Sequence, residues 1–181
     1  MDNNMKHPPA TLWLTGLSAA GKTTLAHALA DTLATAGAAN QILDGDVVRR
    51  ELNRDLGFSK EDRSVNVRRV ADRCRKINDA GMWAIAALIS PYQADRELAR
   101  QAVGEGRFFE VYLATPLAVC ETRDPKGLYR RARVGDIANF TGISAPYEEP
   151  LNPDLRLDTT TLSLAGCVAA TMDLLRLRDT I

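Results

Sequence analysis

Thr11-Leu12-Trp13-Leu14-Thr15 runs directly into Gly16-Leu17-Ser18-Ala19-Ala20-Gly21-Lys22-Thr23, and this stretch decides the fold. Its last eight residues satisfy the spacing GxxxxGK[ST] after an apolar run with strand character. A strand that turns sharply and restarts as a helix leaves unpaired N–H groups at the helix start. Those groups carry partial positive charge and cradle phosphate. Gly16 and Gly21 permit the tight turn and the close approach of backbone to anion. Lys22 reaches β- and γ-phosphates, and the Thr23 hydroxyl suits Mg²⁺. Thr24–Thr35 is rich in Ala and Leu, as the following helix requires. The predicted phosphate-binding set is Gly16, Leu17, Ser18, Ala19, Ala20, Gly21, Lys22, Thr23 and Thr24. A glycine-containing turn with an incidental lysine is the alternative, and the flanking strand and helix count against it.

Outward from this loop, apolar runs alternate with helical patterns. Strands are predicted at Thr11–Thr15, Gln41–Leu43, Trp83–Ile89, Phe108–Leu113 and Leu155–Leu157. Helices are predicted at Lys22–Ala36, Asp46–Asn53, Asp62–Ala80, Tyr92–Val103, Leu117–Thr122 and Leu162–Arg178. This rhythm implies an α/β fold with a parallel sheet flanked by helices on both faces. Ligands bind such sheets beyond the carboxyl ends of the strands. Residues 123–153 are basic, then rich in Gly, Pro and Thr without a clear period, and read as a lid or binding loop. The expected organisation is a flexible tail over residues 1–10 and one domain over 11–181, with its lid around 123–150. The 23 basic and 23 acidic residues cancel, so no global positive field points to nucleic acid or a membrane surface. Cys74, Cys120 and Cys167 are scattered and odd in number, which fits a reducing cytoplasm rather than a disulfide framework. The start lacks the apolar core of a signal peptide, and no run is long enough to span a bilayer.

Three constellations extend the chemistry. Leu43-Asp44-Gly45-Asp46 falls at the ligand-side end of the second strand. Asp46 is a candidate general base or metal-shell residue, and Asp44 a candidate for orienting the acceptor or the metal's water shell. The same residues also suit a turn followed by a helix N-cap. Next, Arg63 and Asn66 are three apart and share a helical face, suited to an anionic, hydrogen-bonding substrate, with the Phe58 ring available for stacking on a planar base. A solvated helix face and a buried core phenylalanine remain the alternatives. Finally, Lys126, Arg130 and Arg133 follow helical spacing and could form one basic face against transferring phosphates, with a nucleic-acid patch or a merely solvated face as the alternatives. Ser90 follows the third strand and suits either a phosphate or substrate contact or a plain turn with Pro91.

Taken together and in this order, the segments resemble the adenylylsulfate kinase (APS kinase) family. The matching pieces are the loop Gly16–Thr23, Leu43-Asp44-Gly45-Asp46, Asp55-Leu56-Gly57-Phe58-Ser59, and Asp62-Arg63 with Asn66 and Arg68-Arg69. Further matches are Ile89-Ser90-Pro91-Tyr92, Arg123-Asp124-Pro125-Lys126-Gly127-Leu128-Tyr129, and Phe140-Thr141-Gly142-Ile143 with Pro146-Tyr147-Glu148. The resemblance covers nearly the whole chain and implies a three-layer P-loop kinase fold. It implies transfer of the γ-phosphate of ATP, with Mg²⁺, to the 3′-hydroxyl of adenosine 5′-phosphosulfate (APS), giving PAPS and ADP for sulfate assimilation. By the same resemblance Lys22, Asp46, Ser90 and Lys126 form the catalytic set, with Thr23 and Asp46 at the metal. Arg49, Arg63 and Asn66 would hold the phosphosulfate, with Asp44 nearby. Phe58 and Phe140 would sandwich the acceptor adenine, Ile89 would offer backbone contacts, and Arg123 would lie near the ATP adenine. The family carries Ser90 as a proposed phosphoserine; direct in-line transfer needs only a phosphate contact there. The family also implies a homodimer.

Two positions depart from the family pattern. Ala19-Ala20 replaces the usual Gly-Ser, where only backbone N–H groups are needed, and Ser144 replaces the usual Asp, which predicts a lost lid contact. Another small-molecule P-loop kinase, acting on a nucleoside, another phosphorylated nucleotide or a sugar acid, is the rival within the enzyme class. A nucleotide-binding regulatory module without catalysis is the rival outside it. Phe58 and Phe140 together favour a nucleotide-like acceptor, and retention of Lys22, Thr23, Asp46 and Lys126 favours catalysis.

Overall fold

Strand β1 (Thr11–Thr15) lies at the centre of a five-stranded sheet, with every residue buried. It pairs with β3 (Trp83–Ala87) on one side and β4 (Phe108–Leu113) on the other. The edges are β2 (Asn40–Asp44) and β5 (Leu155–Leu157), giving the order β2-β3-β1-β4-β5. All four pairings are parallel. The loops that follow β1, β2, β3 and β4 therefore meet at one edge of the sheet, where ligands bind. The computed structural model describes residues 8–51 and 53–178. Most of the expected tail, including residues 1–7, lies outside the described residues.

The helices are α1 (Lys22–Thr35), α2 (Gly45–Glu51), α3 (Lys60–Asp79), α4 (Gln93–Val103), α5 (Leu117–Arg123), α6 (Leu128–Arg133) and α7 (Leu164–Arg178). Side chains alternate across a strand, and here both faces are covered. Leu12, Leu14, Ile85 and Val111 share one core with Leu25, Leu29 and Leu33 of α1 and Leu175 of α7. Trp13, Ala84 and Ala86 point the other way, into a core with Val67, Val70 and Cys74 of α3 and Ala99 and Val103 of α4. The predicted three-layer arrangement is the one observed.

Three differences from the sequence reading have physical causes. Strand β3 stops at Ala87, where pairing to both Asp44 and Leu14 ends, rather than at Ile89. Ser90 then adopts φ 39°, and Pro91 has no N–H for a ladder. Helix α3 starts at Lys60, earlier than predicted, because the Ser59 hydroxyl accepts from the Asp62 N–H at 3.1 Å and caps it. The stretch predicted to be irregular contains α6, whose first turn is fastened by the Asp124 carboxylate, accepting from the N–H groups of Tyr129 and Arg130 at 3.1 Å each. Lys126 precedes Gly127, which turns the chain at φ 64° before α6 begins. Arg133 meanwhile pairs with Glu121 on α5. The single basic face through Lys126, Arg130 and Arg133 therefore does not form.

Candidate active site

The loop between β1 and α1 is held in shape by its glycines. A Cβ on Gly16 would meet the Leu113 carbonyl oxygen at 2.7 Å, and Gly21 has φ 104°. Ala19 occupies the left-handed region at φ 61°, a conformation that costs roughly 1–2 kcal/mol for a residue bearing a Cβ. Ala20 is fully buried, and its carbonyl accepts from the hydroxyls of Thr115 and Thr159 at 3.2 and 3.3 Å. The Lys22 ammonium folds back over the loop, donating to the carbonyls of Gly16 at 2.8 Å and Leu17 at 2.6 Å. Burial pulls its pKa down from the ordinary 10.5 to about 8.

A polar chain leads away from the loop. The Thr23 hydroxyl donates to Asp44 Oδ2 at 2.7 Å, and Asp44 Oδ1 accepts from the Asp46 N–H at 3.0 Å. This Asx-type turn at the end of β2 places Asp46 at the start of α2, with its carboxylate exposed. That carboxylate is ion-paired with Lys126 of the lid. The sequence thus spaces Asp44 and Asp46 so that the first binds the loop and the second meets the lid. No cluster of three or more His, Cys, Asp or Glu side chains suited to a metal occurs among the described residues. The Thr23 hydroxyl and the Asp44 carboxylate are hard oxygen donors side by side, a set that fits Mg²⁺ completed by phosphate and water oxygens.

On the opposite flank, Phe58 is 60% exposed, which removes the buried-core alternative. The Arg49 guanidinium lies 4.5 Å from its ring centroid, and Arg49 Nη1 donates to the Gly57 carbonyl at 2.7 Å. Arg63 is buried and bridges two segments. Its Nε donates to the Phe58 carbonyl at 3.1 Å and its Nη2 to the Asn139 carbonyl at 2.7 Å. The two aromatic-bearing segments, at 58 and 140, are therefore tied through one guanidinium. Asn66 Oδ1 accepts from Asn53 Nδ2 at 2.9 Å, and Arg69 holds Asn53 and Asp55 in turn. Desolvation lowers the pKa of both Arg49 and Arg63.

The segment over residues 123–150 rests on the phosphate loop. Tyr129 donates its hydroxyl to the Ser18 carbonyl at 3.0 Å, and Gly142 lies so close to Leu17 that an added Cβ would meet Leu17 Cδ2 at 3.1 Å. The Phe140 ring meets Tyr129 edge-on, with centroids 5.0 Å apart. Ser144 Oγ accepts from the Phe140 N–H at 3.0 Å, so the position that departs from the family pattern still fastens this turn. Arg123 joins the loop rim to the β5–α7 connection, donating to Thr159 Oγ1 at 2.9 Å and the Thr159 carbonyl at 3.0 Å. Thr24 is exposed on the first turn of α1. A cavity of about 690 Å³ is lined by Leu17, Tyr112, Leu117, Ile143, Tyr147 and Arg156 among others. Of the predicted site residues only Leu17 lines it.

The Ser90 hydroxyl is buried at 3% exposure, accepting from Trp13 Nε1 at 3.1 Å and donating to Thr15 Oγ1 at 3.0 Å. Sequence reading did not single out Thr15, Asn53 or Arg96 around this edge. One signal was available: Glu110 is the lone charge within Phe-Phe-Glu-Val-Tyr-Leu, an otherwise apolar strand, and a buried charge demands a partner.

A doubly covered parallel sheet, a GxxxxGK[ST] loop after its central strand, a carboxylate pair after β2 and a lysine-bearing segment that packs on the loop define a P-loop kinase. The profile of the family described as Adenylylsulphate kinase matches residues 8–158, and the chain belongs to that family. It is 52% identical over 169 residues to the adenylyl-sulfate kinase of Pseudomonas entomophila, covering 93% of this chain and 81% of that protein. Among solved structures it is similar to the Mycobacterium tuberculosis APS kinase CysC in complex with AMPPNP and APS. That match has 44% identity and a TM-score of 0.89, over 93% of this chain and 99% of that one. The hexameric APS kinase from Thiobacillus denitrificans aligns at 33% identity and a TM-score of 0.72, over 97% of this chain and 30% of that one.

Proposed function

We propose that this chain transfers the γ-phosphate of ATP to the 3′-hydroxyl of adenosine 5′-phosphosulfate, releasing PAPS and ADP. The observation that carries the reading is the continuous line from donor to acceptor. Thr23, beside Lys22 on the phosphate loop, connects through Asp44 to Asp46, and Asp46 meets the lid that leads to Phe140. Arg63 ties that same lid segment to Phe58.

In this reading the triphosphate lies in the loop, and Lys22 exchanges its two carbonyl partners for β- and γ-oxygens. Thr23 and Asp46, with Asp44 in the surrounding water shell, would hold Mg²⁺ directly or through water, and the ion would draw negative charge from the β- and γ-phosphates. Asp46 takes the proton of the 3′-hydroxyl as its oxygen attacks the γ-phosphorus, while the bond to the β-phosphate oxygen breaks. Lys126 leaves Asp46 to stabilise charge on the transferring group. The acceptor adenine stacks between Phe58 and Phe140, and Arg49, Arg63 and Asn66 meet its anionic end. Arg123 flanks the ATP base. Ser90 acts by holding the acceptor turn, since its hydroxyl is already committed to Trp13 and Thr15.

The single domain over 11–181 with a lid around 123–150, the homodimer and the cytoplasmic location are also part of this proposal. The three cysteines are free and buried, which suits a reducing compartment, and among the described residues no helix is long and apolar enough to cross a membrane. Light scattering of the purified chain tests the dimer. The reaction is tested by supplying ATP and Mg²⁺ with APS, a nucleoside or a sugar acid. ADP formation with APS and not with the others is expected; turnover only with another acceptor overturns the substrate, and absence of ATP binding overturns the enzyme.

A further inference from the structure

We propose that Arg96 is a positioning residue that welds the acceptor turn Ile89-Ser90 to the root of the lid, so that the two hold as one unit. The inference rests on the acceptor reading above. Arg96 is on α4, away from the donor loop, and is 1% exposed. Its fork reaches three separate parts of the chain. Nε donates to Glu110 Oε1 of β4 at 2.8 Å. Nη1 donates to the Ser90 carbonyl at 2.7 Å. Nη2 donates to Gln93 Oε1 and to the Glu148 carbonyl, both at 2.7 Å.

A buried ion pair is a poor device for stability alone, because apolar residues of similar volume serve as well or better. What the guanidinium supplies is planar geometry with several donors in fixed directions, which an ammonium cannot reproduce. The geometry is used where the backbone is strained. Ser90 has φ 39°, a sparsely populated region for a residue with a Cβ, and such strain persists only where the surroundings over-determine it.

A second set of bonds closes the same unit from the other side. Thr15 gives its one hydroxyl proton to the Ile89 carbonyl at 2.7 Å. Its oxygen therefore accepts from Ser90 and, at 2.9 Å, from the Tyr147 hydroxyl. Tyr147 also lies under Arg96, with its ring centroid 5.8 Å from the guanidinium carbon. The next residue, Glu148, donates its N–H to the Pro91 carbonyl at 2.8 Å and accepts from the Gln93 N–H at 2.7 Å. Residues 147–148 close the segment that carries Phe140, and Ile89 is the proposed acceptor contact. The position of the lid's root and the shape of the acceptor turn are thus one structural variable.

The test pairs kinetics with amide hydrogen exchange in the full-length chain. Arg96→Lys keeps the charge and loses the fork. It is expected to raise the APS KM about tenfold with the ATP KM within about twofold. Without any nucleotide it is expected to speed exchange together in peptides spanning residues 83–92 and 140–150. An unchanged APS KM, equal effects on both substrates, or faster exchange in only one of the two peptides overturns the proposal. Tyr147→Phe, which removes only the hydroxyl bond to Thr15, decides the matter if Arg96→Lys does not fold. A raised APS KM supports the coupling and an unchanged one refutes it. Failure of the reaction itself would show separately, as a wild-type chain that does not turn over APS, while the exchange result would still stand or fall alone.

Discussion

Raising the pH above 8 should weaken nucleotide binding through Lys22 alone. Its ammonium is 9% exposed and bonded only to loop carbonyls, and burial holds its pKa at about 8 against the ordinary 10.5. Phosphate oxygens beside it favour the charged form, so the bound complex keeps the proton that the free site gives up. Above pH 8 binding must therefore recruit one proton. At pH 9.5 that recruitment costs about 2 kcal/mol, roughly thirtyfold in Kd. Below about pH 7 Lys22 is already charged and the dependence fades. Isothermal titration of AMPPNP with Mg²⁺, repeated in two buffers of different ionisation enthalpy, reads both quantities. Uptake should approach one proton at pH 9.5 and fall to about a quarter of a proton at pH 7.5, and Lys22→Met should flatten the profile. A Kd independent of pH up to 9.5, or the same slope in Lys22→Met, would refute the reasoning. The sign for folding runs the same way. Below pH 8 folded and unfolded chains both hold the proton and the burial penalty is fully present. Between 8 and 10.5 only the unfolded chain holds it, so this group makes the ligand-free protein more stable as pH rises.

Three substitutions probe the rest of the site. Asp46→Asn should lower kcat by roughly 10²–10⁴, the range for a lost general base, while calorimetry finds AMPPNP affinity little changed; a kcat near wild type would remove Asp46 from the chemistry. Phe58→Ala removes an exposed stacking ring worth roughly 1–3 kcal/mol per base. It should raise the APS KM roughly five- to a hundredfold with the ATP KM unmoved, whereas equal shifts would count against the pocket. Ala19→Gly relieves the residue at φ 61° and should add about 0.5–1 kcal/mol after the entropy of glycine is deducted. Thermal unfolding should report a Tm higher by roughly 1–4 °C, and a lower Tm would show that the loop tolerates alanine without strain.

Local signals carried most of the fold. The loop at Gly16–Thr23 announces its own geometry, and the apolar runs of β1 and β4 match the observed strands because buried parallel strands read as near-continuous apolar segments. Helix α6 escaped because it is only six residues long and owes its start to Asp124, a cap without an apolar period behind it. The end of β3 was overshot because Leu88 and Ile89 are as apolar as the strand before them; pairing, not hydrophobicity, ends it. At the site, residue types and spacing identified Lys22, Thr23, Asp44 and Asp46 as candidates. The fold-back of Lys22 onto its own loop and the bridge of Arg63 from Phe58 to Asn139 depend on contacts across 5 to 76 residues. No periodicity encodes such contacts. The Arg96 network is of the same kind, with Glu110 its one sequence trace.

The central claim is that one line of residues passes phosphate from the loop at Gly16–Thr23 to an acceptor held between Phe58 and Phe140. ATP labelled in its γ-phosphate, incubated with Mg²⁺, APS and the purified chain, tests it most directly. Label should appear on the 3′-position of PAPS with one ADP formed for each APS consumed, and the rate of that transfer should fall by roughly 10²–10⁴ in Asp46→Asn. Label released as inorganic phosphate with APS untouched, or transfer at near the wild-type rate in Asp46→Asn, would contradict it.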